Sequence, residues 1–389
     1  MRKYTSDLVN SIPPSGIRKF FDIASEMKNV ISLSVGEPDF VTPWNVREAA
    51  ILAIERGMTH YTSNKGLSEL REQICIYLAN RFELKYKEKD ILITVGASEA
   101  IDLAVRAVVN PGEEVIIPAP SYVSYAPCVT IAQGVPVIVN TKVEDNFVLT
   151  PQELDKVITP KTKAIILPYP NNPTGAVMKK EELSRLVNYL EDKDIIIISD
   201  EIYAELTYGS RHVSIASYPS IKDRVILING FSKAFAMTGW RVGFVAANDE
   251  IMDAMTKIHQ YTMLCASSIS QMAALEALTL NAGNGYQTIE NMASQYDMRR
   301  KKLYKAFNEM GLHCFEPKGA FYLFPSIKTT CMSSEEFCTK LLYEQGVAIV
   351  PGTAFGASGE GFVRCSYAAS MKNIDKAIGK ISQFVADHT

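Results

Sequence analysis

Two periods alternate along the chain. Runs of strand length that are apolar on both faces recur at Ile91-Leu92-Ile93-Thr94-Val95, Glu114-Val115-Ile116-Ile117-Pro118 and Ala164-Ile165-Ile166-Leu167-Pro168. Others follow at Asp194-Ile195-Ile196-Ile197-Ile198-Ser199-Asp200, Val225-Ile226-Leu227-Ile228-Asn229 and Phe244-Val245-Ala246-Ala247. Strands without a polar alternate are those buried on both faces of a mainly parallel sheet. Between them stand helical spacings, from Leu67 to Phe82, from Ile101 to Val109 and from Glu250 to about Thr279. Such alternation predicts an α/β protein whose sheet is covered by helices on both faces.

The flanks read differently. Two prolines and a glycine in Ser11-Ile12-Pro13-Pro14-Ser15-Gly16 predict an irregular arm, followed by a short helix over 17–28 and an alternating strand at Ile31-Ser32-Leu33-Ser34-Val35. A long helix is expected from about Tyr286 to Met310, with Asp297, Arg299, Arg300, Lys301 and Lys302 on a solvated face. Lys318 to Pro325, Val347 to Gly352 and Phe362 to Ala368 read as further strands. The expected division is a large domain over 44–280 and a smaller α+β domain made of 1–43, with the N-terminal arm, and 281–389.

Composition narrows the function. With 47% hydrophobic and 21% charged residues the chain is of ordinary globular type, and 389 residues suffice for two domains. A net charge of -3 offers no case for nucleic acid or an anionic membrane. The first residues carry basic side chains without an apolar stretch after them, unlike a signal peptide, and no apolar run reaches the ~20 residues of a bilayer span. A cytoplasmic location is expected. Seven cysteines without a C-x-x-C pair and five histidines without ligand spacing give no metal or disulfide pattern.

Four places carry chemistry. Lys233 stands among small residues just past the Val225–Asn229 run, where open α/β sheets hold their ligands. A desolvated lysine there loses its proton readily and becomes an amine nucleophile, although a structural lysine has the same pattern. Asp200 closes a run of isoleucines, and a buried carboxylate demands a cationic partner. Gly96-Ala97-Ser98 sits between a strand and a helix, where free N–H groups make an anion seat, with Ser98 as an ordinary N-cap the alternative. Arg364 stands in the apolar run Phe362 to Ala368, where it requires an anion, either an internal acid or a bidentate carboxylate ligand.

The segment Gly230-x-Ser232-Lys233-x-x-Ala236-Met237-x-Gly239-x-Arg241-Val242-Gly243, with Gly36-Glu37-Pro38-Asp39-Phe40 and Asn172-Pro173-Thr174-Gly175, resembles the class I/II aminotransferases, pyridoxal 5'-phosphate enzymes of the type I (aspartate-aminotransferase) fold. The resemblance runs from about residue 17 to Ser370. It implies that Lys233 holds the cofactor as a Schiff base, and that Ala97, Ser98, Ser232 and Arg241 contact its phosphate. Tyr61 would reach the phosphate of a partner subunit in a homodimer with shared active sites. Tyr122 would stack on the ring, with Tyr125 as the neighbouring alternative. Asp200 would hold the ring nitrogen protonated, Asn172 and Tyr203 would meet the phenolic oxygen, Arg364, with Asn172, would take the substrate carboxylate, and the backbone near Gly36 would approach the substrate. The implied reaction moves an amino group from an L-amino acid to a 2-oxo acid such as 2-oxoglutarate. Aspartate, aromatic, alanine and acyl-diaminopimelate donors remain open, and Arg18 or Lys65 is available as a second cation. A carbon–sulfur β-lyase of cystathionine type is the alternative enzyme. A regulatory module without turnover is the third reading, disfavoured because Ile17 leaves little room before it for a DNA-binding domain.

Overall fold

The computed structural model describes residues 4–14, 16, 27 and 29–389. Its strands, in chain order, are β1 (Ile31–Ser32), β2 (Ile91–Thr94), β3 (Glu114–Ala119), β4 (Val135–Asn140), β5 (Thr162–Leu167) and β6 (Ile196–Asp200). They continue with β7 (Val225–Gly230), β8 (Gly243–Ala246), β9 (Tyr322–Leu323), β10 (Val347–Ala348), β11 (Val350–Pro351) and β12 (Val363–Ser366). Seven of them form one sheet in the order β2-β8-β7-β6-β5-β3-β4. All its pairings are parallel except those of β8, which runs antiparallel to both β2 and β7.

The unbroken apolar runs have a physical reason. Successive side chains leave a strand on opposite faces. Ile165, Ile197, Leu227 and Phe244 therefore enter one core with the helices Ser68–Phe82, Lys180–Leu190 and Ser268–Gly283. Ile166, Ile198, Ile226 and Val245 enter a second core with Gly96–Val108 and Asp249–Thr262. A third core gathers the helices Gln287–Glu309, Ser334–Gln345 and Met371–His388 around Leu33, Phe321, Tyr322 and Val363.

Several local expectations change. The helix expected over 17–28 lies almost wholly outside the described residues. Ile31–Val35 is strand only at Ile31–Ser32, which pairs in parallel with β10, because the next amide, Leu33 N–H, takes the last bond, to Ala348. Lys318–Pro325 keeps just two strand residues, and the strand read from Val347 is broken into β10 and β11. The helix read from Glu250 to Thr279 is two, Asp249–Thr262 and Ser268–Gly283, parted where Leu264 takes φ 68° and Ser267 caps the second. The charged face of the long helix is not all solvated. Arg299 and Arg300 are buried, since Asp39 lies 2.7 Å from the first and Asp297 and Glu316 lie 2.7 and 2.9 Å from the second.

Candidate active site

The carboxyl ends of β5, β6 and β7 open on a cavity of about 540 Å³. Its lining includes Gly36, Ala97, Ser98, Tyr122, Asn172, Asp200, Tyr203, Ser232, Lys233, Arg241 and Arg364. Every site residue read from the sequence is therefore in one place except Tyr61, which is 82% exposed on the loop before Ser68–Phe82 and does not line it.

One end is built from backbone. The helix Gly96–Val108 begins at Gly96, five residues earlier than its apolar spacing, so the amides of its first turn open on the cavity. Ser98 is not its cap: the N-cap is Val95, whose N–H is taken by Glu99, itself 2.6 Å from His259 Nδ1. Gly96 has φ 76°, and a Cβ there would lie 2.6 Å from Arg241 Nη2, so the guanidinium rests against the helix start. Gly243, facing Thr94 and Gly230 in the sheet register, lets the backbones close, since its own Cβ would lie 2.8 Å from Ala97 N. Arg241 is exposed and held by Thr238 O at 3.0 Å, with Ser232 buried nearby. Free amides, a helix dipole and a guanidinium converge there as an anion seat.

In the middle, Lys233 Nζ donates to Gly36 O at 2.7 Å. Burial lowers its amine from 10.5 to about 8; Arg364 and Arg241 act in the same sense, and Glu37 and Asp200 oppose. Asp200, at the end of β6, accepts from Tyr125 Oη at 2.8 Å and from Ile202 N–H at 3.2 Å. Burial raises its carboxyl above the ordinary value despite these two hydrogen bonds, which lower it. Its hydrogen bonds come from neutral donors, leaving room for a cationic N–H at the cavity face. Tyr125 is thus a site residue in its own right beside Tyr122, whose ring it meets edge-on at 5.7 Å.

The far end is buried and assembled from distant segments. Arg364 is 2% exposed. It donates to Asn172 Oδ1 at 2.9 Å and to the Ser34 carbonyl, and its Nε has no partner among the described residues. The guanidinium faces Tyr322 and Phe355, with its carbon 4.4 and 4.9 Å from their ring centroids. Among the described residues Arg364 has no acidic partner: it holds neutral acceptors and an orphan N–H, the condition for a carboxylate ligand. Tyr203 Oη lies 2.9 Å from Tyr322 Oη. Tyr322 is the residue the sequence does not single out, because an aromatic in Phe321-Tyr322-Leu323-Phe324 has the pattern of core. Lys65 is turned elsewhere, bonded to Lys89 O and 3.9 Å from Asp253, and Arg18 lies outside the described residues.

Residues 28–381 match the family model described as aminotransferase class I and II. The chain belongs to that family. This aminotransferase is 53% identical to the Bacillus subtilis protein YugH over 99% of both chains. It is 46% identical to an aspartate aminotransferase of Pyrococcus abyssi over 98% of each. The crystal structure of an aromatic aminotransferase from Pyrococcus horikoshii superposes on it with a TM-score of 0.89 at 44% identity, covering 95% of this aminotransferase and 99% of that chain. All three are named as amino-group transferases, and none as a carbon–sulfur lyase. An aminotransferase of this fold has a mostly parallel central sheet, as observed.

Proposed function

We propose that the cavity carries pyridoxal 5'-phosphate on Lys233 and exchanges amino groups between L-amino acids and 2-oxo acids, 2-oxoglutarate being the acceptor. The observation that carries this reading is the convergence, in one cavity, of an anion seat, a proton-poor amine, a buried carboxylate whose hydrogen bonds among the described residues come from neutral donors, and a guanidinium with an N–H unpartnered among them. These four fit the four polar functions of the cofactor and an amino acid. When bound, the cofactor supplies a carbonyl carbon that carries the amino group and a ring that takes up an electron pair.

The chain's own residues divide the work. The amides of Gly96–Ser98, with Arg241 and Ser232, bind the phosphate dianion, and Tyr122 covers the ring. Asp200, kept in place by Tyr125 and the Ile202 N–H, holds a proton on the ring nitrogen. Tyr203 and Asn172 face the phenolic oxygen. Arg364 binds the α-carboxylate in bidentate fashion and so orients the α-hydrogen. Lys233 Nζ, largely neutral only above pH about 8 when free, takes the α-proton and would deliver it to the cofactor carbon that carries the amino group, and the second half-reaction runs the same transfer backward.

Assembly belongs to the same reading. Trp44, Ile51, Ile54, Met58, Tyr61, Met263 and Leu264 are exposed apolar residues. They are tied together by Asn64 bonding Leu264 O at 2.7 Å and by Trp44–Glu55 packing on Ser268–Gly283. Such a patch supports a homodimer in which Tyr61 reaches the partner's phosphate. The domain division at 44 and 280 and the cytoplasmic location are proposals of the same kind; no helix among the described residues is long and apolar enough to cross a membrane.

The test is the visible spectrum of the purified protein with a panel of amino acids, with and without 2-oxoglutarate. A band near ~420 nm that moves to ~330 nm as glutamate forms supports the reading and names the donor. Pyruvate and ammonia without glutamate indicate the lyase. No band after the cofactor is supplied removes the reading.

A further inference from the structure

Tyr322 touches more of the site than its sequence context announces. It lies on β9, whose register places Tyr322 opposite Ser366 and Leu323 opposite Cys365 on β12, the strand that carries Arg364. Its ring lies under the Arg364 guanidinium, with centroid and carbon 4.4 Å apart. Its hydroxyl is 2.9 Å from the Tyr203 hydroxyl. On its other side the hydroxyl abuts Gly36, where a Cβ would lie 2.6 Å away, and Gly36 O is the acceptor of Lys233. Both phenols are buried, at 6% and 1% exposure for Tyr203 and Tyr322, and so ionise above the ordinary value.

A phenol has one proton to donate. For Tyr203 to donate into the cavity, its oxygen must be free to accept, and the Tyr322 hydroxyl is the donor at hand. Donation from Tyr322 strengthens the donation of Tyr203, because linked hydrogen bonds polarise one another. The positive charge of Arg364 over the Tyr322 ring favours that donation, and a carboxylate bound to Arg364 weakens it by neutralising the charge.

We propose that Tyr322 is a positioning residue that couples the carboxylate-binding guanidinium of Arg364 to the Tyr203 hydroxyl, so that filling the carboxylate site changes the proton affinity at Lys233. The inference rests on the cofactor reading above. A hydrogen bond from Tyr203 to the phenolic oxygen competes with the proton held at Lys233, so weakening it raises the pH at which that proton is lost.

The experiment follows the visible band of the holoenzyme against pH, with and without propionate, a carboxylate that has no amine. In the unmodified enzyme propionate raises the midpoint. In Tyr322→Phe the starting midpoint is higher by roughly 0.5–1 unit, the size of one net hydrogen bond, and the propionate-induced rise is smaller. In a Tyr203→Phe background, Tyr322→Phe adds nothing, which separates this route from the direct one through Asn172. A Tyr322→Phe holoenzyme whose midpoint and propionate response equal those of the unmodified enzyme overturns the inference while leaving the cofactor reading intact. Absence of a titratable band in the unmodified protein overturns both.

Discussion

The two ends of the cavity bind anions by opposite means. At the Gly96 end the donors are backbone amides of one helix turn, and the side-chain cation beside them, Arg241, is exposed and tied to Thr238 O. At the Arg364 end one buried guanidinium works alone, between two rings, with its partners drawn from Ser34 and Asn172. An amide seat beside exposed Ser98 and Arg241 costs little to keep empty, because solvent can satisfy its donors. A buried guanidinium with an orphan N–H is costly until a carboxylate arrives. The first end is thus suited to holding a resident group permanently, and the second to a ligand that comes and goes and whose binding is felt strongly.

Substitutions separate the two ends by size of effect. Lys233 stands between them, and Lys233→Ala should remove turnover by roughly 10⁴-fold or more, the upper range of positioned acid–base catalysis, in a steady-state assay. Normal activity in that variant would end the account. Arg364→Gln should lower kcat/KM for amino acids by roughly 30- to 5,000-fold, equal to about 2–5 kcal/mol for losing one partner of a buried charge pair. Cofactor affinity should stay unchanged, and a loss there instead would erase the distinction between the ends. Cofactor-free protein should react with a small aldehyde at Lys233 with a pH midpoint near 8 rather than 10.5. Because burial disfavours the charged form, the neutral amine at pH 8 is roughly two orders of magnitude more abundant than in a free lysine. A midpoint above 10 would show that the amine is solvated. Gly96→Ala should weaken cofactor binding by roughly tenfold, as expected for about 1–2 kcal/mol of strain at positive φ and a displaced Arg241, with KM for the amino acid unaffected at saturating cofactor.

The same contrast decides what the sequence reveals. The Gly96 end is local: a strand, three small residues and a helix start lie in one segment, and Ser232, Lys233 and Arg241 lie within ten residues of one another. The far end depends on register between strands some forty residues apart, which is why Tyr322 passes for core although Arg364 on the neighbouring strand is conspicuous as a lone cation. Tyr125 is similar, one of two tyrosines at a strand end until the helix Tyr125–Ile131 turns its hydroxyl onto Asp200. The central sheet is legible because a doubly buried strand must be continuously apolar. Its edge strand β4 is not, since Pro136 interrupts the run, and the exposure of its apolar Val135 and Ile138 follows from their place at the sheet edge rather than from residue type. Arg299 and Arg300 mislead for the reason that Arg364 informs: a charge among charges says nothing of acids that arrive from Asp39 and Glu316.

The most direct measurement is to supply pyridoxal 5'-phosphate, reduce with borohydride, digest and locate the added mass by mass spectrometry. The account predicts one modified residue per chain, Lys233, in the peptide that spans Gly230 to Arg241 or a cut within it. Modification spread over surface lysines, or absent from Lys233, would contradict the claim that this cavity is a cofactor site.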